Sequence, residues 1–202
     1  MTLPKTMAAL TDPIRRLMSE LVWLREEFHL ASKPPRARQK QLAAEMAVIR
    51  MYDAWARYCR ELIVLSASGN TVTLNGAVIP AVVKRRSDVI PALLATYRKR
   101  QYEPKWARAT ECIEAAGRLK IANIGTVTAA LGATNSPAEE IRHIRNYYAH
   151  RKQGGAARAI ACGVFIGASP IVFDLDAYKN AGETFLESWV NGFLLVATAA
   201  SQ

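Results

Sequence analysis

The 202-residue sequence predicts an all-α protein carrying one or two small β-hairpins. Three observations carry that expectation. Apolar residues recur at helical spacing in several long segments, helix starts are marked by Thr, Asp or Ser beside a proline, and clear period-two alternation is confined to one short stretch around an Asn-Gly pair. Half of the residues are apolar, enough for a core of ordinary size, and the length fits a single domain over 1–202.

Taken in order, Thr11-Asp12-Pro13 opens a helix: an oxygen accepts an orphan amide and the proline occupies the first turn, where its missing donor costs nothing. Ile14, Leu17, Met18, Leu21, Leu24 and Phe28 follow at helical spacing, and Pro34-Pro35 ends the segment. A second helix runs from about Arg36 to Ser66, its polar residues gathered in a narrow stripe of Arg50, Asp53, Arg57, Arg60 and Glu61. Gly69-Asn70 closes it. Residues 71–79 then alternate around Asn75-Gly76, which predicts a two-residue hairpin turn. Helical pattern resumes over about Asp88 to Gln101, Pro104 to Ile121 and Thr126 to Leu131. Ser136-Pro137-Ala138-Glu139 opens the next helix by the capping-box rule, and Gly154-Gly155 stops it after Lys152. Residues 161–175 read either as a second small hairpin turning at Gly167 to Pro170 or as buried irregular chain, and a last helix, capped by Asp174 or Asp176, runs to about Ala199.

The chain holds 27 Lys and Arg against 17 Asp and Glu, a formal charge of +10, which favours polyanionic partners. Cys59, Cys112 and Cys162 are odd in number and lack paired spacing, so neither a disulfide framework nor a zinc site is expected and a reducing cytoplasm fits best. Residues 1–10 lack the charged start and apolar middle of a secretory signal. The most apolar stretch, Ala159 to Phe173, is too short for a bilayer, so no membrane partner is expected.

Chemistry concentrates on the helix from Pro137 to Lys152. Ile141, Ile144 and Tyr148 form its buried stripe; Arg145 falls on the flank, and His143, Asn146 and His150 fall opposite. Metal-free RNA cleavage needs the 2′-hydroxyl to attack the adjacent phosphate, a group that moves protons near neutral pH, and fixed positive charge on the transition state. His150 and Arg145 are the residue types for those tasks, since imidazole titrates near neutrality and the guanidinium fork is permanently charged. Asn146, one turn before His150, either orients the imidazole, holds a phosphate oxygen or serves an interface. A pair at i and i+5 lies roughly 140° apart around a straight helix, so a second copy of the helix is favoured to complete the site.

The run Arg145-Asn146-Tyr147-Tyr148-Ala149-His150 resembles the Arg-x4-6-His signature of the HEPN superfamily, including the polar residue after Arg and the small residue before His. The resemblance is sharp over these six residues and looser over the order of helices. It implies a bundle of four to five main helices, the signature helix at a two-fold homodimer interface across 137–152, and endoribonuclease activity in a toxin, antiviral-defence or RNA-processing setting. RNA, a second copy and an antitoxin or regulatory protein are the partners it suggests, without a cofactor. Toxins paired with a nucleotidyltransferase antitoxin commonly carry a Tyr shortly after the His, where this chain has Arg151-Lys152-Gln153. Other members keep the helices without cleavage and act as modules that bind RNA, nucleotides or proteins.

Arg142, His143, Tyr147 and Arg151 are the candidate RNA-contacting neighbours, Tyr147 by stacking on a base or by packing at an interface. His143 and His150, seven residues apart with Glu139 a turn earlier, have a metal-compatible spacing. Asn146 and Arg142 are poor companions for a cation, so no metal site is expected. His29, at the end of the first helix, has a structural place beside the helix dipole. The runs Lys84-Arg85-Arg86 and Arg98-Lys99-Arg100, the latter beside Tyr97 and Tyr102, are either backbone contacts for RNA or solvated faces.

Overall fold

A computed structural model describes residues 7–31, 37–98, 101–133, 136–150, 153–162, 165–166, 172–173, 175–176, 178–180 and 182–202. In chain order the elements are β1 (Ala8–Ala9), α1 (Thr11–Ala31), α2 (Ala37–Ser68), β2 (Thr71–Val72), β3 (Val78–Ile79), a 3-10 turn at Arg86–Asp88, α3 (Val89–Ala95), α4 (Ala109–Leu119), α5 (Ile124–Leu131), α6 (Ala138–His150), α7 (Gln153–Ala161), β4 (Phe165–Ile166), β5 (Val172–Phe173), β6 (Tyr178–Asn180), β7 (Glu183–Thr184) and α8 (Phe185–Ala200). The protein is mostly helical, as the periodicity predicts, and its strands are two or three residues long. Among the described residues no helix is long and apolar enough to cross a membrane.

The chain divides into two compact units. The first comprises residues 1–16, 56–134 and 195–202; the second comprises 17–55 and 135–194.

In the first unit the end of α2 is fixed by backbone chemistry. Gly69 and Asn70 both adopt positive φ, at 68° and 51°, and the Gly69 amide donates to Leu65 O at 3.2 Å. A Cβ on Gly69 would stand 2.0 Å from Ala81 Cα, so only glycine lets the returning chain pass. β2 pairs antiparallel with β3 at 71–72 and 78–79, but the turn is longer than two residues. The Gly76 amide closes on Thr73 O at 3.1 Å, and Thr73 N reaches Ala77 O at 2.9 Å. Thr73 Oγ1 and Asn75 Oδ1 both accept from the Ala77 amide, and this side-chain bonding holds a five-residue loop in place of the expected tight turn. β1 adds to β2 in parallel, a pairing with no local sequence signal.

Two helices of this unit are shorter than their apolar pattern. α3 stops at Ala95, with the Thr96 hydroxyl donating to Leu93 O at 2.7 Å. α4 begins only at Ala109 because the preceding turn is otherwise engaged: Trp106 Nε1 donates to Glu103 at 2.8 Å and the Lys105 amide to Glu111 at 2.8 Å. The core includes Tyr58, Leu62, Ile63, Leu93, Cys112, Ala115 and Val127, all buried. Tyr58 donates to Ala197 O at 2.8 Å, with Ser201 Oγ at 3.0 Å. Burial drives the Tyr58 hydroxyl well above the ordinary tyrosine range, so it remains a donor.

In the second unit, Leu21, Leu24 and Phe28 of α1, Val48, Met51 and Trp55 of α2, Ile141 and Ile144 of α6, and Trp189 and Phe193 of α8 are buried. Trp55 stacks on Phe193 with centroids 4.7 Å apart. Met18 departs from its expected place in the α1 stripe and is 52% exposed. His29 has a structural neighbour in Asp176, at 3.7 Å, which also takes Lys40 at 3.1 Å.

Gly154-Gly155 does not stop helical structure: both lie within α7, which packs on α6. The alanines at 156, 157, 159 and 161 add no propensity cost, and packing on α6, with Ala159 buried, offsets the roughly 1 kcal/mol that each glycine costs a helix. Within 161–175 a hairpin forms, β4 with β5. A further hairpin, β6 with β7, stands where the last helix was expected to begin. α8 therefore starts at Phe185, and Asp176, ahead of β6, does not cap it; Asp174 lies outside the described residues. Thr184 caps the helix: its Oγ1 accepts from the Glu187 amide at 3.2 Å while Glu187 accepts from the Thr184 amide at 3.0 Å, a reciprocal capping box.

Candidate functional site

α6 starts with Ser136 Oγ accepting from the Ala138 amide at 3.4 Å, a long bond and only half of the expected capping box. Glu139 turns forward to Arg142, which donates to it from Nε at 2.9 Å. Glu140 accepts from Trp189 Nε1 at 2.8 Å, so a carboxylate in the first turn also satisfies a fully buried indole. Ile141, Ile144 and Tyr148 are buried, and the Tyr148 hydroxyl accepts from Gln41 Nε2 of α2 at 2.8 Å. The apolar stripe read from the spacing is thus the packed face of the helix.

Arg145 leaves the edge of that face. It is half-buried, its guanidinium carbon lies 5.8 Å from the centroid of the Tyr52 ring on α2, and its Nε is buried without a hydrogen-bond partner among the described residues. The two arginines of α6 differ in charge balance. Arg142 is held by Glu139, whereas Arg145 has no carboxylate partner among the described residues. A guanidinium shielded on one side by an aromatic face, with an unmet donor, is suited to receive an anion.

His150 is the last residue of α6 and is exposed, as is Ala149. Asn146 and His143 are half-buried on the same outward face. No hydrogen bond joins Asn146 to His150 among the described residues, so the orienting bond considered for Asn146 is not made here. His143 lies beside Arg142, with Nη2 3.4 Å from its Nε2. Burial first, then the Arg142 charge, pulls the His143 imidazole below the ordinary histidine range, which favours its neutral form. Tyr147 is half-buried, its ring tilted against Tyr148 at 5.9 Å. Of the RNA-contact candidates, Arg142 is engaged within its own helix, and Arg151 lies outside the described residues.

Tyr52 and Gln41 are the neighbours of the site that sequence reasoning did not name. They share one face of α2 with Glu45 and Val48, at i, i+4, i+7 and i+11, and that spacing was the available signal. Among the described residues, no three His, Cys, Asp or Glu side chains are grouped as a metal could use them. No family model matches the chain, and neither a curated protein nor a solved structure is significantly similar to it.

Proposed function

We propose that the protein is a metal-independent endoribonuclease of the HEPN type, with His150 and Arg145 as its catalytic residues. The observation that carries the reading is the state of Arg145: among the described residues it has no carboxylate partner and its buried Nε is unmet, five residues before an exposed histidine. In the proposed step the 2′-oxygen of one ribose attacks the adjacent phosphorus and the bond to the 5′-oxygen breaks. The products are a 2′,3′-cyclic phosphate and a 5′-hydroxyl. The proton lost by the 2′-hydroxyl is balanced by the one gained at the 5′-oxygen, with His150 serving one of these transfers and water the other, and Arg145 neutralises charge on the equatorial phosphate oxygens.

Because Arg145 and His150 diverge by roughly 140° around one helix, the active unit in this reading is a homodimer across α6, where each cleft draws on both copies. Tyr147 and His143 are the flanking RNA contacts, and Asn146 holds a phosphate oxygen or the dimer interface. The setting is cytoplasmic toxin, antiviral or RNA-processing activity under the control of an antitoxin or regulatory protein. A second reading, a non-catalytic module of the same type that binds RNA, a nucleotide or a protein, is favoured by one observation: His150 has no orienting hydrogen bond among the described residues. Incubating RNA with the protein in EDTA separates the two. Cleavage that disappears in His150→Ala supports the enzyme, and binding without cleavage supports the module.

A further inference from the structure

In the first unit a cavity of about 460 Å³ is lined by Met7, Ala8, Leu65, the Ser68-Gly69-Asn70 turn and Lys84-Arg85-Arg86. Among the described residues no acidic side chain lines it. Arg86 is held by Glu61, while the side chains of Lys84 and Arg85 are exposed and have no ion-pair or hydrogen-bond partner among the described residues. A neighbouring cavity of about 390 Å³ shares Arg86 and adds Arg60, but Arg60 is bound to Glu103 at 2.7 Å, so both of its cations are already balanced. Of these two cavities, the first alone carries cations without an ion-pair partner among the described residues.

The backbone beneath that charge is anchored. Val82 and Val83 both donate to Ala67 O at 2.9 Å, and Ala81 packs against Gly69 where a Cβ would not fit. These bonds tie the basic loop to the end of α2. At this end of α2 the carbonyls of Ala67 and Leu65 have donors, Leu65 O taking the Gly69 amide and the Thr71 hydroxyl, and the positive charge of Lys84 and Arg85 has to outweigh the negative end of the helix dipole. The remaining walls are apolar at Leu65, Met7 and Ala8 and amide-bearing at Asn70. Two free cations at one side, an apolar wall and hydrogen-bonding groups, in a volume within the ordinary range for small-molecule sites, match a nucleotide.

We propose that this cavity binds a nucleoside phosphate, free or as the 5′-terminal nucleotide of RNA, with Lys84 and Arg85 on the phosphate. The site is independent of the reading of α6. The test is calorimetric titration with AMP, adenosine, inorganic phosphate, and one short 2′-O-methyl oligonucleotide bearing either a 5′-phosphate or a 5′-hydroxyl. The 2′-O-methyl group removes the attacking hydroxyl, so the outcome does not depend on cleavage. AMP or the 5′-phosphorylated oligonucleotide should bind at least about tenfold more tightly than its unphosphorylated counterpart. Lys84→Ala/Arg85→Ala should erase that preference and flatten the salt dependence by roughly one unit of slope per cation, with an unchanged melting temperature because both side chains are exposed. Competition by AMP identifies a free nucleotide as the source; binding of the 5′-phosphorylated oligonucleotide that AMP does not displace identifies the RNA end. The proposal is overturned if phosphate confers no preference, if inorganic phosphate binds as tightly as AMP, or if the double variant keeps the preference. It is equally overturned if Lys105→Ala/Lys120→Ala, which removes two exposed cations outside the cavity, causes the same loss.

Discussion

The Arg145 guanidinium lies over the ring of Tyr52, 5.8 Å from its centroid, while its Nε is buried without a partner. The ring covers one side of the cation, and among the described residues nothing accepts from Nε. On the proposed reading Tyr52 positions Arg145 and Arg145 meets the phosphate. Tyr52→Phe should then keep most of the cleavage rate, and Tyr52→Leu should lower it by the roughly 0.5–2 kcal/mol of a lost cation–π contact, about two- to thirtyfold. Arg145→Ala should cost more, and Arg145→Lys should recover only part of it, because a point charge does not reproduce the fork. Steady-state rates on a defined RNA check the series. Equal rates in Tyr52→Leu and Tyr52→Phe would remove the ring from the account.

Glu140 and Trp189 provide a test of the fold apart from function. The Trp189 indole is fully buried and its Nε1 donates to Glu140 at 2.8 Å. Glu140→Ala should destabilise by about 1–3 kcal/mol through the orphaned donor, whereas Glu140→Gln keeps an acceptor and should cost less. Denaturant melts separate these outcomes. Equal losses in the two variants would show that the hydrogen bond is not what Glu140 contributes.

How much of this was legible in the sequence differs by element. The ends of α1 and α2 were readable because Thr11-Asp12-Pro13 and Gly69-Asn70 act through local backbone chemistry. The buried stripe of α6 was readable for the same reason, since Ile141, Ile144 and Tyr148 need only the helical period. α7 was hidden because Gly154-Gly155 reads as a stop unless weighed against the alanines after it, and strands as short as β6 and β7 carry no period. The Thr184-x-x-Glu187 box that starts α8 is present in the sequence, but Asp174 and Asp176 upstream carry an equally strong cap signal. At the site, the partners of Arg145 and Tyr148 come from α2, and Gln41 and Tyr148 are 107 positions apart. Only packing brings them together.

His143 makes a pH prediction. Its folded-state imidazole titrates below the ordinary histidine range, chiefly through burial and then the Arg142 charge, with Glu139 opposing and Arg158 adding. The unfolded chain therefore takes up this proton first as pH falls. Stability should drop through the window between the ordinary histidine value and the lowered one, with the full penalty reached below the lowered value. Arg142→Gln should move the His143 midpoint upward, by removing a positive charge and releasing Glu139. NMR titration of the imidazole protons reads this directly, and an unmoved or lowered midpoint would contradict it.

A homodimer across α6 should give a solution mass near twice the 22.3 kDa of one chain. If both copies complete each cleft, dimers mixing wild-type and His150→Ala chains should fall well below half of wild-type activity. Light scattering and mixed-dimer assays check the two statements. A fully active monomer, or mixed dimers at half activity, would leave each chain with a site of its own.

The most direct test of the endoribonuclease reading compares one oligonucleotide as RNA and as DNA, incubated in EDTA with the wild-type protein and with His150→Ala. His150 is exposed at the end of α6, so its replacement removes no core volume and should leave the melting temperature unchanged. The account predicts RNA cleavage to a 2′,3′-cyclic phosphate in EDTA, intact DNA because it lacks the attacking hydroxyl, and no cleavage by a folded His150→Ala protein. Loss of cleavage on chelation, equal cutting of DNA, or full activity in His150→Ala would contradict it.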